Sequence, residues 1–334
     1  MKTILLLLLF LTTLFGDTLK IATYNVENLF DLKKSGYEYK EYIPFTRSNW
    51  NRRTYAIKLH NTAKVIKDIN ADIIALEEVE SFQALKDLRY TLKRMGLYYP
   101  YYKIANKKNT TVKVAILSKI PFVYTKEIAV TQSYKYRNIL EVKFKLKNEY
   151  LYLLINHWKS KTGPESMRII SAKKVRQRIK ELGEKSNIIV LGDFNSDYEE
   201  NKHFKRKRKL NNTHGITGIN TILGTQRYQY SASNKIKIHT PDLYNLWYDQ
   251  VNKDERYTHI FRRKKEALDN ILVSNALLDH KGIEYIRGSI HSFQRNYLFK
   301  GRGLYRWQMS WSKPKRHYGK GYSDHLPVVA EFHY

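Results

Sequence analysis

The sequence predicts a mixed α/β fold in which two β-sheets pack together and helices cover them. Two observations lead to this prediction. Short apolar runs typical of strands alternate with segments whose apolar residues recur at helical spacing, and some strands follow each other with no helix between them. Strict alternation would favour a barrel or a doubly wound parallel sheet, whereas adjacent strand pairs require antiparallel neighbours as well. We therefore expect a two-sheet α/β sandwich.

The first half of the chain contains two predicted helices, each beside a strand. The second strand is short and of the buried type, and Glu77 and Glu78 follow at its carboxyl end. The second helix is expected to stop at Gly96, because glycine is common just after a helix. Residues 31–49 form a polar, Tyr-rich insertion. The predicted elements are a strand over 19–26, a helix over 50–69, a strand over 71–76 and a helix over 81–95.

The second half contains most of the predicted strands and two long basic insertions, at about 201–250 and 281–320. Pro164 suits the first turn of a helix that ends before Gly183. Pro327 can lie only at the start or on the edge of the last strand. The predicted elements are strands over 112–117, 139–146 and 150–155, a helix over 164–182, and strands over 187–191, 256–261, 268–273 and 328–332.

The N-terminal residues 1–16 have the pattern of a secretory signal: a basic start, a short apolar stretch and Gly16 near the expected cleavage point. The sequence therefore predicts a periplasmic or secreted protein, with an uncleaved N-terminal anchor as the alternative because Leu14 is a poor residue for the cleavage site. We expect no integral membrane span after cleavage. The remaining residues, 17–334, are predicted to form one domain.

The composition restricts both the chemistry and the partners. The chain has no Cys, which excludes disulfides, thiolate zinc sites and Cys nucleophiles. Its net charge is +29, from 60 Lys and Arg against 31 Asp and Glu. This excess indicates a polyanionic partner: nucleic acid, an anionic membrane surface or an acidic polysaccharide. A generally Lys-rich proteome would not explain the clusters at 205–209 and 262–265.

Polar side chains follow several predicted strands at the points where those strands end, or precede the next strand. Active sites of sheet proteins gather at such ends. Carboxylate and amide oxygens without Cys favour a hard cation such as Mg²⁺ or Mn²⁺. A carboxylate beside a His can fix the tautomer of the ring and support its positive charge. The residues are Asn25, Glu78, Asn156, His157, Asp193, Asn195, Asp269, Asp324 and His325.

These residues lie in short motifs that resemble those of the endonuclease/exonuclease/phosphatase superfamily, the group that includes pancreatic deoxyribonuclease and the sphingomyelinases. The motifs occur in the expected order across residues 19–332, and the chain looks most like the exported bacterial nuclease branch. They are Asn25 in the first strand, Leu76-Glu-Glu78, Asn156-His157, Gly192-Asp-Phe-Asn195, Leu268-Asp269 and Ser323-Asp-His325.

The resemblance implies a four-layer α/β/β/α sandwich and a role for each motif residue. Glu78 would be the main metal ligand, with Asn25 and Asp324 near or on the metal. Asp193 and Asn195 would position or deprotonate the attacking water, and Asp269 would orient His325. The division of labour between Asp193 and His325 stays open.

The resemblance also implies that His157 contacts the phosphate or protonates the leaving group, and that Arg137 and Asn156 bind phosphate. Glu77 departs from the family, which usually has Gln there. The extra charge could tighten metal binding or simply face solvent.

Charge, motifs and export signal together predict an exported, metal-dependent phosphodiesterase: a monomeric, non-specific endonuclease acting on DNA rather than RNA. His157 supports this, because the abasic-site repair branch typically has Tyr at that position. The alternatives are a sphingomyelinase-like phospholipid phosphodiesterase, a nuclease like that of distending toxin, and a non-catalytic DNA-binding protein. The aromatic residues of 281–320 either stack on bases or form a small satellite core.

Overall fold

The computed structural model describes residues 17–204, 209–225 and 242–334. The predicted signal, 1–16, and most of the basic cluster at 205–209 lie outside these ranges. The helices are α1 (Arg52–Ile69), α2 (Phe82–Arg94), α3 (Glu165–Leu182) and α4 (Glu200–His203). The strands are β1 (Thr18–Leu29), β2 (Ile73–Val79), β3 (Tyr101–Ile104), β4 (Lys113–Ser118), β5 (Phe122–Ile128), β6 (Ile139–Leu146), β7 (Glu149–His157), β8 (Asn187–Asp193), β9 (Tyr244–Asn245), β10 (His259–Phe261), β11 (Lys264–Glu266), β12 (Asp269–Val273), β13 (Glu284–Tyr285), β14 (His291–Ser292), β15 (Phe299–Lys300), β16 (Gly303–Leu304) and β17 (Val328–His333).

The strands form two large mixed sheets. The first has the order β13-β17-β1-β2-β4-β3, with β14 also paired to β17, and the second has the order β5-β6-β7-β8-β12-β9. Two pairs are parallel, β1 with β2 and β7 with β8, and the other neighbours are antiparallel. Parallel neighbours need a crossover connection. Helix α1 provides the first crossover and α3 the second.

Three apolar cores separate four layers, so the predicted α/β/β/α sandwich is confirmed. The central core lies between the inner faces of the sheets and includes Ile21, Leu153 and Ile271. A second core packs α1 and α2 on the outer face of the first sheet. A third core packs α3 on the outer face of the second sheet. Burial of apolar surface in all three cores is the main force that holds the layers together.

An Asn residue at each end of α1 sets where the helix begins and ends. The side chain of Asn51 accepts hydrogen bonds from the backbone N–H groups of Arg53 and Thr54, which caps the first turn. Asn70 ends the helix in the left-handed conformation. The predicted helix began at Trp50, but the structure places this indole in the second core, before the cap.

The insertions contribute to the cores. Tyr42 from 31–49 is buried beside Trp50. The prediction that 201–250 is irregular is wrong in two described places: residues 218–222 form a helical turn, and β9 adds an edge strand to the second sheet. In 281–320, Phe293 and Trp307 are buried, whereas Trp311 is exposed. Among the described residues, no helix is both long and apolar enough to cross a membrane.

Candidate active site

The topology brings the predicted site residues to one end of the sandwich. The carboxyl ends of β1 and β2 lie together because these strands are parallel, and so do those of β7 and β8. The antiparallel strand β12 begins where β8 ends, so Asp269 lies opposite Asp193. The loop before β17 lies beside the end of β1, where the Ser323 hydroxyl donates to the Asn25 carbonyl at 2.6 Å.

Strand periodicity explains why several of these side chains face the space between the sheets. Side chains alternate between the two faces of a strand, so residues two apart share a face. Leu191 and Ile155 belong to the central core. Asp193 and His157 follow them by two positions and therefore extend the same inner face. Ile271 places Asp269 on that face in the same way.

Asp269 and His325 form the tightest pair of the site. The Nδ1 atom of His325 lies 2.7 Å from Oδ2 of Asp269, and the Thr258 hydroxyl donates to the same oxygen at 2.5 Å. Burial by itself would lower the pKa of His325, but the nearby carboxylates of Asp269 and Asp193 outweigh it and raise the pKa well above its ordinary value. His325 is thus held in one orientation, with Nδ1 on Asp269 and Nε2 at the opposite side of the ring.

Asp193 lies at the centre of a second hydrogen-bonded group. Its Oδ2 accepts from the side-chain amide of Asn25 at 3.0 Å and from that of Asn195 at 3.1 Å. Its Oδ1 accepts from the backbone N–H of Asn195 at 2.8 Å. His157 Nε2 lies 3.5 Å from Oδ2. Burial raises the pKa of Asp193 to about 7, although the charge of His325 opposes this rise.

Glu78 reaches the cluster because β2 contains a bulge. The pairing of β2 with β4 shifts between Leu76 and Val79, and Glu78 has the left-handed φ of 64°. A bulge of this kind re-aims a side chain that strict alternation would direct to the other face. Oε1 of Glu78 lies 3.8 Å from Nε2 of His157. Burial, followed by the charge of Asp324, raises the pKa of Glu78.

Asp324 is held by Arg306, whose Nη2 lies 3.1 Å from Oδ2 of Asp324. Arg306 also donates from Nε to Oε1 of Glu27 at 2.9 Å. Burial alone would raise the pKa of Asp324, but the charges of His325 and Arg306 lower it. Asp324 therefore stays ionised beside the other site carboxylates.

The donor set fits a divalent cation. Two groups of side chains place their ligand atoms within 4.8 Å of one another: Asp193, Asp269 and His325, and His259, Asp324 and His325. Neither group includes Glu78, whose carboxylate instead adjoins His157. Burial of several carboxylates near one another raises the pKa of Glu78 and Asp193, and a cation would relieve that repulsion. Oxygen and imidazole ligands without thiolate suit a hard or borderline cation.

The two predicted phosphate-binding residues, Arg137 and Asn156, lie in different places relative to the site. Arg137 is half-buried and donates to the carbonyl of Trp158 at 3.4 Å, beside the site. Asn156 lies outside the cluster: its amide donates to the Leu154 carbonyl at 2.9 Å and its Oδ1 accepts from the Trp158 indole at 3.1 Å. The side chain of Asn156 thus positions Trp158, and phosphate binding by Arg137 and Asn156 stays a prediction.

Glu77 is buried rather than facing solvent. The Thr23 hydroxyl donates to its Oε1 at 2.8 Å, and its Oε2 has no hydrogen-bond partner in the described part of the chain. Burial, and then the charge of Asp269, raises the pKa of Glu77 well above its ordinary value. A neutral Glu77 is close in shape and polarity to the Gln that the family usually has there.

Four further residues of the site were not predicted from the sequence: Glu27, Lys58, His259 and Arg306. Lys58 is fully buried and donates to the Tyr322 carbonyl at 2.9 Å, and burial lowers its pKa to about 8. His259 forms a bridge with His325 across two segments. Of these four, only Glu27 could have been suspected from the sequence, because it lies two residues after Asn25. Arg306 belongs to an insertion that has no motif.

The chain belongs to the endonuclease/exonuclease/phosphatase family, whose sequence profile matches residues 20–333. The resemblance inferred from the motifs is thereby confirmed. Members of this family are hydrolases that act on phosphoester bonds and typically depend on a divalent metal. No curated protein matches the chain.

Solved structures of low sequence identity share the fold. Truncated TDP2 of Caenorhabditis elegans is 15% identical with a TM-score of 0.57, and the alignment covers 95% of this chain and 98% of that one. TDP2 of D. rerio complexed with a single-strand DNA product is 15% identical with a TM-score of 0.56, covering 95% and 99%. A mannosyl-6-phosphatase of Bacteroides thetaiotaomicron is 16% identical with a TM-score of 0.52, covering 95% and 100%.

Proposed function

We propose that this protein is an exported, divalent-metal-dependent nuclease that hydrolyses phosphodiester bonds in DNA. The convergence of carboxylates, amides and two His residues at one end of the two sheets is the observation that carries this proposal. Mg²⁺ or Mn²⁺ is the ion that oxygen ligands of this kind favour. When bound, the cation would neutralise charge on the phosphoryl oxygens and polarise the phosphorus centre.

The protein groups divide the proton transfers between them. Asp193, a carboxylate at the centre of a hydrogen-bonded group in the site, suits a group that takes a proton from the attacking water as the new P–O bond forms. Asn25 and Asn195 hold its carboxylate in place. The raised pKa of His325 keeps its ring protonated at neutral pH. A protonated ring cannot also ligate the cation, which would then be held by Glu78, Asn25 and Asp324, as the family resemblance implies. His325 can therefore give a proton to the leaving oxygen as the second P–O bond breaks.

His157 suits a different role. Burial, and then the charges of Arg137 and His325, lower its pKa well below the ordinary value. A neutral imidazole is a poor general acid at neutral pH but a good hydrogen-bonding group. Of the two roles that the family resemblance implies for His157, we favour contact with a phosphate oxygen.

The charge of the chain supports nucleic acid as the substrate class. The net charge of +29 is far above what solubility requires, and the phosphate backbone of DNA is the matching polyanion. The D. rerio structure of the same fold holds a single-strand DNA product. If six to ten phosphates are contacted, affinity should fall by about 10³–10⁵ between 50 and 200 mM salt.

The decisive experiment incubates the purified protein with supercoiled plasmid, RNA, sphingomyelin liposomes and mannose 6-phosphate, each with Mg²⁺, Mn²⁺ or EDTA. His325→Ala tests the site, and His60→Ala is the matched control because His60 is exposed on α1. We expect metal-dependent nicking of plasmid by the wild type and His60→Ala, and none by His325→Ala. Hydrolysis of lipid or phosphomonoester with no plasmid cleavage would reject the nuclease proposal.

Export is tested separately. The residues that form the predicted signal, 1–16, should be absent from protein recovered from the periplasm or medium of the producing cell. N-terminal sequencing of that protein should begin near Asp17. Recovery of the full-length chain in the membrane fraction would instead support an uncleaved anchor.

A further inference from the structure

Residues 308–318, here called the Trp311 hairpin, project from the 281–320 insertion. Two short segments of this hairpin pair with each other: Ser310 N–H donates to the Arg316 carbonyl at 2.9 Å, and Tyr318 N–H donates to the Gln308 carbonyl at 3.1 Å. Gln308 N–H also donates to the Lys320 carbonyl at 2.8 Å. Paired backbone of this kind fixes the direction in which the tip points.

The root of the hairpin is buried among aromatic rings. Trp307 is almost fully buried, and its indole N–H donates to Nδ1 of His317 at 2.8 Å. Because Nδ1 accepts this bond, Nε2 carries the ring proton and donates to the Glu41 carbonyl at 2.8 Å. The Trp50 ring packs against both Trp307 and His317. The hairpin is therefore attached to the second core by a satisfied polar and aromatic cluster.

The tip of the hairpin is exposed to solvent, whereas its root is buried. Trp311 is 101% exposed, whereas the four other Trp residues of the chain are at most 2% exposed. An indole left fully in water contributes no burial to folding, and both faces of its ring stay available to a partner. The residues around it are basic: Lys313, Lys315 and Arg316. A flat aromatic face beside cations matches the chemistry of a base and its phosphates.

The tip is also connected to the candidate active site. A groove of about 200 Å³ is lined by Arg306, Trp311 and Lys315 together with residues between them in the chain. Arg306 contacts Asp324, one of the predicted metal-site residues. Trp311 follows Arg306 by five positions, a span of at most about 18 Å. At about 3.4 Å per nucleotide along a stacked strand, this span corresponds to roughly five nucleotides.

We propose that Trp311 is a stacking platform for a base of single-stranded nucleic acid, and that Lys315 and Arg306 contact the phosphates between that base and the scissile bond. This inference rests on the proposed nuclease function and adds to it the substrate form. In an intact duplex the faces of the internal bases are covered by their stacked neighbours, so a single strand, whose bases can turn outward, suits the free indole better. A lone Trp among cations offers too little apolar surface for firm lipid insertion.

The test compares a long and a short substrate in the same enzyme. The long substrate is a single-stranded thymidine 20-mer, and the short one is thymidine 5′-(p-nitrophenyl phosphate), which is too small to reach the tip. The measured quantity is the ratio of kcat/KM for the 20-mer to kcat/KM for the short ester. We expect Trp311→Ala to lower this ratio by about 5- to 150-fold, the range expected for loss of one stacked base.

Two further variants make the result specific. Trp311→Phe keeps an aromatic face and should restore most of the ratio. Tyr90→Ala removes an aromatic side chain that is 62% exposed on α2, and it should leave the ratio unchanged. Binding of the 20-mer should also quench tryptophan fluorescence in the wild type but much less in Trp311→Phe.

The outcomes separate this inference from the proposed function. If the wild type cleaves neither of these substrates and does not cleave plasmid, the nuclease proposal itself fails. If it cleaves plasmid but not the 20-mer, the nuclease stands and the single-strand inference is rejected. If it cleaves both the 20-mer and the short ester and Trp311→Ala keeps the wild-type ratio, the nuclease stands and the stacking role is rejected. A blue shift of the Trp311 emission with phosphatidylglycerol vesicles, without quenching by the 20-mer, would reject stacking in favour of a membrane contact.

Discussion

Replacement of Asp269 by Asn tests whether the site works through an oriented, charged His325. In the wild type, one oxygen of Asp269 accepts from both the Thr258 hydroxyl and His325 Nδ1, whereas its Oδ1 has no partner within the described residues. The Asn amide can therefore be placed in two ways. With its NH₂ at the Oδ1 position, both hydrogen bonds persist but the negative charge is lost. With its NH₂ toward His325, donors oppose each other and the wrong ring tautomer is favoured.

These two placements bound the expected effect. A hydrogen bond to a charged group contributes about 1.5–3 kcal/mol, so loss of the charge alone should lower kcat by about 10- to 150-fold. A fixed wrong tautomer can cost up to roughly 10⁴-fold, as in the carboxylate–His pairs of serine proteases. We therefore expect Asp269→Asn to lower kcat by about 10- to 10⁴-fold. KM should change little, because the pair lies behind the ring.

The assay is steady-state hydrolysis of thymidine 5′-(p-nitrophenyl phosphate) by Asp269→Asn, His325→Ala and the double variant. Because the two residues act as one unit, the double variant should be little worse than His325→Ala. Asp249→Asn is the matched control: Asp249 is a buried carboxylate, in the turn after β9, that accepts from the Tyr244 hydroxyl at 2.6 Å.

The pH dependence of kcat tests the same pair in a second way. Asp269 raises the pKa of His325, so Asp269→Asn should lower that pKa. If the protonated ring is the active form, activity is lost as pH rises through this pKa, and the alkaline limb should move to lower pH in the variant. The reasoning is refuted if folded Asp269→Asn retains more than about a third of the wild-type kcat, or if the two single losses multiply.

Three further predictions concern the metal, the backbone and an ion pair. Glu78→Gln should weaken Mn²⁺ binding by roughly tenfold or more in titration calorimetry; unchanged affinity would remove Glu78 from the ligand set. Gly192→Ala would place Cβ 2.0 Å from a backbone carbonyl oxygen at φ 127°, and it should lower the free energy of unfolding in urea by at least about 4 kcal/mol. Gly183→Ala, at φ 90° with open space around the new Cβ, should lower it by only about 1 kcal/mol. Equal losses of stability would contradict the structure. For Glu266, burial alone would raise the pKa, but Lys161 and a second Lys lower it from 4.5 to about 2, a difference worth about 3 kcal/mol. That stability is present above pH 4.5 and is lost as pH falls toward 2. The difference in free energy of unfolding between the wild type and Glu266→Gln should therefore shrink over this pH range. A difference that does not change with pH would show that the ion pair does not stabilise the fold.

Helices and central strands were predictable because their signals are local. The period of apolar residues and the capping residues set α1, α2 and α3 within one or two positions. Strands β3 and β5 were missed. Both are edge strands in which every side chain except the last is exposed or half-exposed, so neither has the apolar run that marks a buried strand. Backbone pairing with the neighbouring strands β4 and β6 makes β3 and β5 extended, although their own sequences do not predict strands.

The motif residues could be predicted for a related reason. Most of them lie near the point where a strand ends or begins, and their residue types already restrict the chemistry to oxygen and imidazole ligands. The sequence by itself therefore determined the fold class, the absence of thiol chemistry and most members of the site. It also determined the strongly basic charge, from which a polyanionic partner was inferred.

Only the tertiary structure decided which of these residues face one another. The bulge at Glu78 changes the face of one side chain, and Asn156 turns to Trp158 instead of the cluster. Arg306 reaches Asp324 and Glu27 from an insertion about 280 positions away from Glu27. The same insertion buries Trp307 and leaves Trp311 in water. These choices depend on contacts between segments far apart in the chain, and no local pattern of residues records such contacts.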